Sequence, residues 1–450
     1  MVKTTNKSTP TARLNGRFAD LQAFRNDPPT EIRKYKEKFG DTFYLDLIFK
    51  KVLATSNPEV IRHILQTNNK NYIKDFSYRQ LKLALGNGLL INEGESWMAQ
   101  RRLAQPAFYK KRLEGLFDTM VRTTENFIEN FEKKRGSTSS INITSEMNTI
   151  TSDVALDTLL GGNRYGDNMD IQQTISRSQQ YIVERIRYPW RTPFAYINGK
   201  HRQFQKDLKR FDEVIYEIIN THRQQKTEGE NHLLSMLLEA RDEDTGEQMN
   251  DQQLRDELMT IYVAGHETSA NALSWTWYLL TQHLDIYQRL KDEIRNTLGT
   301  RRPTLADLRA MPYVRQVLDE AMRLYPPAWA MGREAIHSDE ASGYKIEKGG
   351  VVFVSISNLH RDERFWENPD QFDPDRFTPE RNKARERGVY MPFGLGPRMC
   401  IGNNFALMEI QLIIMMMVQS FDFELDTKHP VVPEALITLR PKYGIKVFVK

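Results

Sequence analysis

From Trp97 to about Leu298, apolar residues recur at the 3.6-residue spacing of amphipathic helices. The spacing predicts helices near 97–110, 113–134, 143–160, 170–186, 199–225 and 251–282, with two more over 284–298 and 311–324. Pro326 and Pro327 stop the last of these, because proline lacks the amide a helix needs. Strand-like runs lie toward the two ends: 42–47 and 51–55 as a hairpin, then 341–346, 351–355, 421–425 and 436–449. A helix start is read at Asn57-Pro58. A Pro/Asp/Arg-rich loop covers 368–390, and polar breaks fall at 137–140 and 227–231. No internal repeat is visible. The fold class expected is mainly α with small β-sheets (α+β).

The most apolar stretches are 258–281, which carries His266 and Glu267 in mid-run, and 405–418, which is too short to span a bilayer. Both read as core helices. Residues 1–26 are polar, without the apolar middle of a signal peptide or an anchor, and form a segment that need not be ordered. Lys+Arg 63 against Asp+Glu 59 leaves a net charge of +4 with no long block of one sign, which argues against a nucleic-acid partner.

The single cysteine excludes an intrachain disulfide and a multi-cysteine zinc site, and suits a reducing cytoplasm. It lies in Phe393-Gly-Leu-Gly-Pro-Arg-Met-Cys400-Ile-Gly402. Inert packing, a nucleophile and a one-thiolate metal ligand all satisfy the count, and inert burial is the common fate of a free cysteine. The surroundings argue against inertness. Glycines and Pro397 make a tight loop, Arg398 places a cation two residues before the sulfur, and the following helix start favours a thiolate.

The string reads Phe-x-x-Gly-x-Arg-x-Cys-x-Gly, continued by Ala406 and Glu409, and resembles the haem-binding loop of cytochromes P450. The resemblance runs from about Thr42 to the C-terminus. It implies one catalytic domain over 27–450, overriding the roughly three domains that length alone suggests. It also implies haem b buried between a long central helix and the cysteine loop. Cys400 is then the axial thiolate on iron, with Phe393 and Gly402 around it. An anionic sulfur favours O–O cleavage.

Within the 251–282 helix, Ala264-Gly265-His266-Glu267-Thr268-Ser269 holds a second set of chemistry-bearing residues. A mid-helix glycine costs about 1 kcal/mol against alanine, so Gly265 asks for a reason. With Ala264 it permits close approach of a flat cofactor or dioxygen, while Thr268 can bond a carbonyl one turn back. A kinked helix with a solvated charged step is the plain alternative. The six residues resemble the family's oxygen-activating segment, which implies that Thr268 and Glu267 steer protons. His266 lies about 200° around the helix from Thr268, so it is read as a packed histidine and not a ligand.

Glu320 and Arg323 are three apart on a predicted helix among apolar neighbours, which predicts a buried pair that Arg376 can complete. The family has such a triad bracing the cysteine loop, although its usual Pro-Glu-Arg-Phe is Pro374-Asp375-Arg376-Phe377 here. Trp97 and Arg101, one helical turn apart, together with Arg333 and Arg398, match family positions that hold the haem propionates. Positions matching the distal pocket fall near Leu89, Leu90, Ile261, Ala264, Thr268, the run Ala328-Trp329-Ala330-Met331 and Ile437, nearly all apolar. The segment 188–196 is a candidate lid, with ordinary loop packing as the alternative.

The resemblance implies a monooxygenase that uses O2 as co-substrate and two electrons from a separate ferredoxin or flavodoxin with its NAD(P)H reductase. No flavin or cluster domain is expected after Cys400, and a basic surface around Arg398 is a candidate docking face. A hydrophobic substrate is expected, with a fatty acid favoured because Lys50 or Lys51 can receive its carboxylate, and a terpenoid or steroid as alternatives. A monomer without a membrane anchor is expected. The competing functions are a peroxide-driven or isomerising haem-thiolate enzyme and a non-catalytic haem-based binding or gas-sensing protein.

Overall fold

The helical spacing is realised in the computed structural model, which describes residues 9–13, 22–24, 26–46, 51–136, 139–161, 168–225, 232–241 and 246–450. The helices that position functional residues are α1 (Phe76–Leu85), α2 (Gly94–Ala104), α3 (Ile143–Leu160), α4 (Asn168–Arg187), α5 (Lys200–Gln225), α6 (Asp251–Gln282), α7 (Pro312–Leu324) and α8 (Asn403–Ser420). Their limits follow local chemistry. Asn250 caps α6 in a reciprocal capping box with Gln253, and α3 stops at left-handed Gly161. The mainly helical fold class holds.

Contacts divide the chain into two compact units. The first comprises Met1–Ser77, Gln316–Cys400 and Val432–Lys442; the second comprises Tyr78–Arg315, Ile401–Val431 and Tyr443–Lys450. The first unit is built on strands β1 (Thr11–Arg13), β2 (Thr42–Asp46), β3 (Lys51–Thr55), β4 (Tyr72–Lys74), β5 (Ala330–Ala335) and β6 (Val351–Ser355). They form one sheet in the order β1-β2-β3-β6-β5-β4. The β1–β2 and β3–β6 pairs are parallel and the others antiparallel. In the second unit α6 runs through the helical body, with Trp275 and Trp277 fully buried.

Several expectations are corrected. Residues 1–26 are not wholly outside the fold, since Ala12 of β1 is a core residue packed with Ile32, Phe43 and Leu45. The helix read over 97–110 begins at Gly94 and tightens after Ala104, where Pro106 interrupts the ladder. The single run 341–346 is instead the hairpin Asp339–Ala341 and Tyr344–Ile346, turned at Ser342-Gly343 with φ of 50° and 86°. The 368–390 loop contains a short helix, Pro379–Ala384. Within 137–140 and 227–231, residues 137–138 and 227–231 lie outside the described residues.

One buried ion pair organises the loop-rich half of the first unit. Glu320 and Arg323 are both fully buried on α7. Arg323 donates to the two Glu320 oxygens at 2.6 and 2.8 Å. It also donates to the carbonyls of His360 (2.8 Å), Pro369 (2.7 Å) and Gln371 (3.1 Å). Glu320 accepts in addition from the Asp373 amide at 2.9 Å and from Arg376 at 3.3 Å. The expected three-residue brace therefore forms, and it satisfies backbone groups that have no helix or sheet partner.

His360 passes this anchoring on. It is fully buried, and its Nε2 accepts from the Met391 amide at 3.0 Å. Burial first, then the nearby Arg323 and Arg361, push its pKa down to about 3, so the ring stays neutral and keeps its acceptor.

Removing Arg323 strands a buried carboxylate and three carbonyls, so Arg323→Leu is expected to lose about 3–5 kcal/mol in urea unfolding. A loss below about 1 kcal/mol would show that the loop stands without the pair. His360 gives a pH signature. Between about pH 3 and 6.5 the unfolded chain binds a proton that the folded one refuses. Its contribution is complete above pH 6.5 and falls, by up to about 1.4 kcal/mol per unit, as pH drops. In His360→Gln that share of the slope is expected to vanish.

Candidate active site

The cysteine loop hangs from Met391. Gly394 and Gly396 have φ of 79° and 75°, a left-handed backbone that glycine adopts without strain. At Gly396 the requirement is absolute, because a Cβ would lie 2.0 Å from the Leu65 carbonyl oxygen. The loop closes on itself where the Cys400 amide donates to the Phe393 carbonyl at 2.9 Å and Met399 donates to Gly396 at 3.0 Å. Cys400 is exposed, three residues before α8, and Arg398 ends the short turn Gly396–Arg398. On the neighbouring β5, Met331 stands where a Gly394 methyl would touch it at 3.5 Å.

Arg333, two residues further along β5, is 7 % exposed. Its guanidinium donates to the Gly332 carbonyl at 2.8 Å, and no carboxylate among the described residues pairs with it. A buried cation without a counter-ion is costly unless an anion supplies one. Among the described residues no group of three or more His, Cys, Asp or Glu is placed to hold a metal ion, so Cys400 would ligate as a single thiolate. A single thiolate and a buried unpaired cation in one unit fit an iron porphyrin with acidic side arms.

The second unit contributes α6. That helix is buried along most of its length, but Ile261, Ala264, Gly265 and Thr268 are half-exposed. Their spacing of three, one and three makes one stripe on one face. A Cβ added at Gly265 meets nothing within 4 Å, so the glycine faces open space and not a packed neighbour. Thr268 Oγ1 donates to the Ala264 carbonyl at 2.6 Å, the backward bond expected of it. Glu267 accepts from Gln179 of α4 at 2.5 Å.

His266 is buried off this stripe, as read from the helix angle. Its Nδ1 lies 3.2 Å from the Tyr262 carbonyl and its ring stacks on Tyr262 at 5.1 Å. Burial pushes its pKa down, which keeps it neutral. Ser269 donates to Glu409 of α8 at 2.7 Å, and burial pushes this fully buried acid up to about 8. Glu257 accepts from the Leu89 amide at 3.0 Å, and the Asn87 amide donates to Asp256 at 2.7 Å. These bonds fasten the segment bearing Leu90 to the first turns of α6.

Trp97 and Arg101 are half-exposed on α2, where Arg101 donates to Gln105 at 2.8 Å. Ala328, Ala330, Met331 and Ile437 are half-buried in the first unit, Ile437 in the turn between Pro433–Ala435 and Leu439–Pro441. Within 188–196, Pro189–Arg191 is a tight turn leading into the helix Thr192–Ile197, and Trp190, Phe194 and Tyr196 are exposed. Lys51 is exposed at the start of β3, and Lys50 lies outside the described residues. Gln179 and His360 escaped the sequence reading. Their partners are 88 and 31 positions away, and no local pattern announces such pairs.

Among the described residues no helix is long and apolar enough to cross a membrane. Cyclooctatin synthase of Streptomyces melanosporofaciens is 32% identical over 381 residues, covering 83% of this chain and 81% of its own length. A Mycobacterium tuberculosis protein named as a cytochrome P450 is 31% identical over 414 residues, with 88% and 87% covered. Protein LUTEIN DEFICIENT 5, chloroplastic, of Arabidopsis thaliana is 29% identical over 431 residues, with 91% and 72% covered. The family model described as Cytochrome P450 matches residues 9–447. With its pattern matched across that span, the chain belongs to the cytochrome P450 family of haem-thiolate monooxygenases.

Proposed function

We propose that the chain hydroxylates a hydrophobic molecule with O2 and two electrons delivered by a separate ferredoxin or flavodoxin and its NAD(P)H reductase, in the cytoplasm. A fatty acid is the first candidate substrate, and a terpenoid or steroid the second. The observation that carries this reading is the half-exposed stripe on α6, where Thr268 lies beside the open space at Gly265 and Glu267 is its sequence neighbour.

The haem, when bound, supplies O2 activation, which an axial thiolate promotes. Cys400 would hold the iron through its sulfur, and the glycines at 394 and 396 let the backbone take the turn that presents it. Arg333, together with Trp97, Arg101 and Arg398, offers donors to the propionates. Ala264 and Gly265 leave room on α6 for a flat ring. Thr268 keeps its hydroxyl hydrogen on the Ala264 carbonyl until a better acceptor arrives on the stripe. Glu267, oriented by Gln179, is the carboxylate that replenishes that proton. The apolar side chains of Leu90, Ile261, Ala328, Ala330, Met331 and Ile437 exclude water and favour an apolar substrate. The segment 188–196 serves as the lid, and residues 27–450 act as one catalytic domain.

Reduced protein treated with CO is expected to show a strongly red-shifted Soret band that Cys400→Ser abolishes while haem is retained. An unchanged band in the variant would remove Cys400 as the ligand. With substrate and reductase present, Thr268→Ala is expected to keep consuming reductant while product falls about 10²-fold, the balance appearing as hydrogen peroxide. Undiminished product would take Thr268 out of the proton path. Spin-state shifts across fatty acids, terpenoids and steroids would rank the substrate classes.

A further inference from the structure

A charged groove in the second unit lies outside everything assigned above. It is open, holds about 630 Å³, and is formed by the end of α1, one face of α5 and the first turns of α6. Its lining includes Lys82, Arg202, Lys206, Lys209 and Arg255 against one acid, Asp212. That acid is already committed. Arg255 is 6 % exposed at the groove and donates to Asp212 at 2.6 Å and to Asp256 at 2.9 Å.

The other four cations have no carboxylate partner among the described residues. Arg202, Lys206 and Lys209 are spaced four and three apart, so they share one face of α5 and span about 10 Å along it. Lys82 comes from a different helix. Like charges at such spacing repel, and a bound anion relieves that repulsion. A monovalent ion neutralises one of them. Charges spread over about 10 Å match an anion carrying several charges of its own, and lysines suit phosphate oxygens as point charges.

We infer that this groove binds a multiply charged phosphate, either a soluble oligophosphate or the headgroup of an anionic lipid. The reading is independent of the haem site. The binding energy is electrostatic, so affinity falls as salt rises.

Sodium tripolyphosphate titrated into the haem-loaded protein by calorimetry is expected to bind at one site per chain. In Lys206→Glu/Lys209→Glu the affinity is expected to fall by at least about tenfold, because two attractions become repulsions. The exposed pair Lys345→Glu/Lys348→Glu carries the same charge change in the first unit and is expected to leave binding intact. Sedimentation with phosphatidylglycerol vesicles is the second arm. Vesicle binding that depends on Lys206 and Lys209, without tripolyphosphate binding, identifies the lipid headgroup as the source. No binding in either arm, or equal binding by both variants, overturns the site. Unchanged melting of the variants guards against misfolding.

Discussion

A charge pair sealed from solvent dictates where the cysteine loop begins. Arg323 and Glu320 are both without exposure, so neither can fall back on water if the other moves. The guanidinium's remaining hydrogens must find oxygens, and they find the carbonyls of His360, Pro369 and Gln371. A stretch with little regular structure thereby acquires fixed points. From His360 the constraint passes to the Met391 amide, and from there to the glycine turn that ends at Cys400. The thiol's place is set by buried electrostatics several residues removed from it, not by packing around the sulfur.

This arrangement shows why part of the site was legible in the sequence. Glu320 and Arg323 are one helical turn apart, and the cysteine string is consecutive, so both leave a local trace. The long helices were equally readable: α3 and α6 have the limits that periodicity predicts, helped by Asn250 and Gly161 at their ends. What stayed hidden was pairing across distance. β1 lies in a polar stretch, and only its parallel register with β2 makes Ala12 a core residue. β4 and β5 are short strands of mixed polarity whose identity comes from lying beside each other. Gln179 is one glutamine on a polar helix until Glu267 is brought to it.

The second unit works by the opposite means. α6 is buried along most of its length, and the stripe Ile261, Ala264, Gly265 and Thr268 is left half-exposed. The acids of this unit, on α6 and on α8, are handled in two ways. Glu257 and Glu409 are drawn into the interior, where desolvation pushes their pKa values up to about 7 and about 8. Glu267 instead remains half-exposed. One helix, α6, thus carries a buried acid, Glu257, and a half-exposed one, Glu267, about three turns apart.

Gly265 carries a consequence for the stability of α6. A methyl there would meet no protein atom within 4 Å, and alanine is the better helix former by about 1 kcal/mol. On helix propensity alone, filling the position would therefore stabilise the fold. No described neighbour penalises the added carbon. At this position helix propensity alone would prefer a different residue, and the open space beside it is kept at that cost.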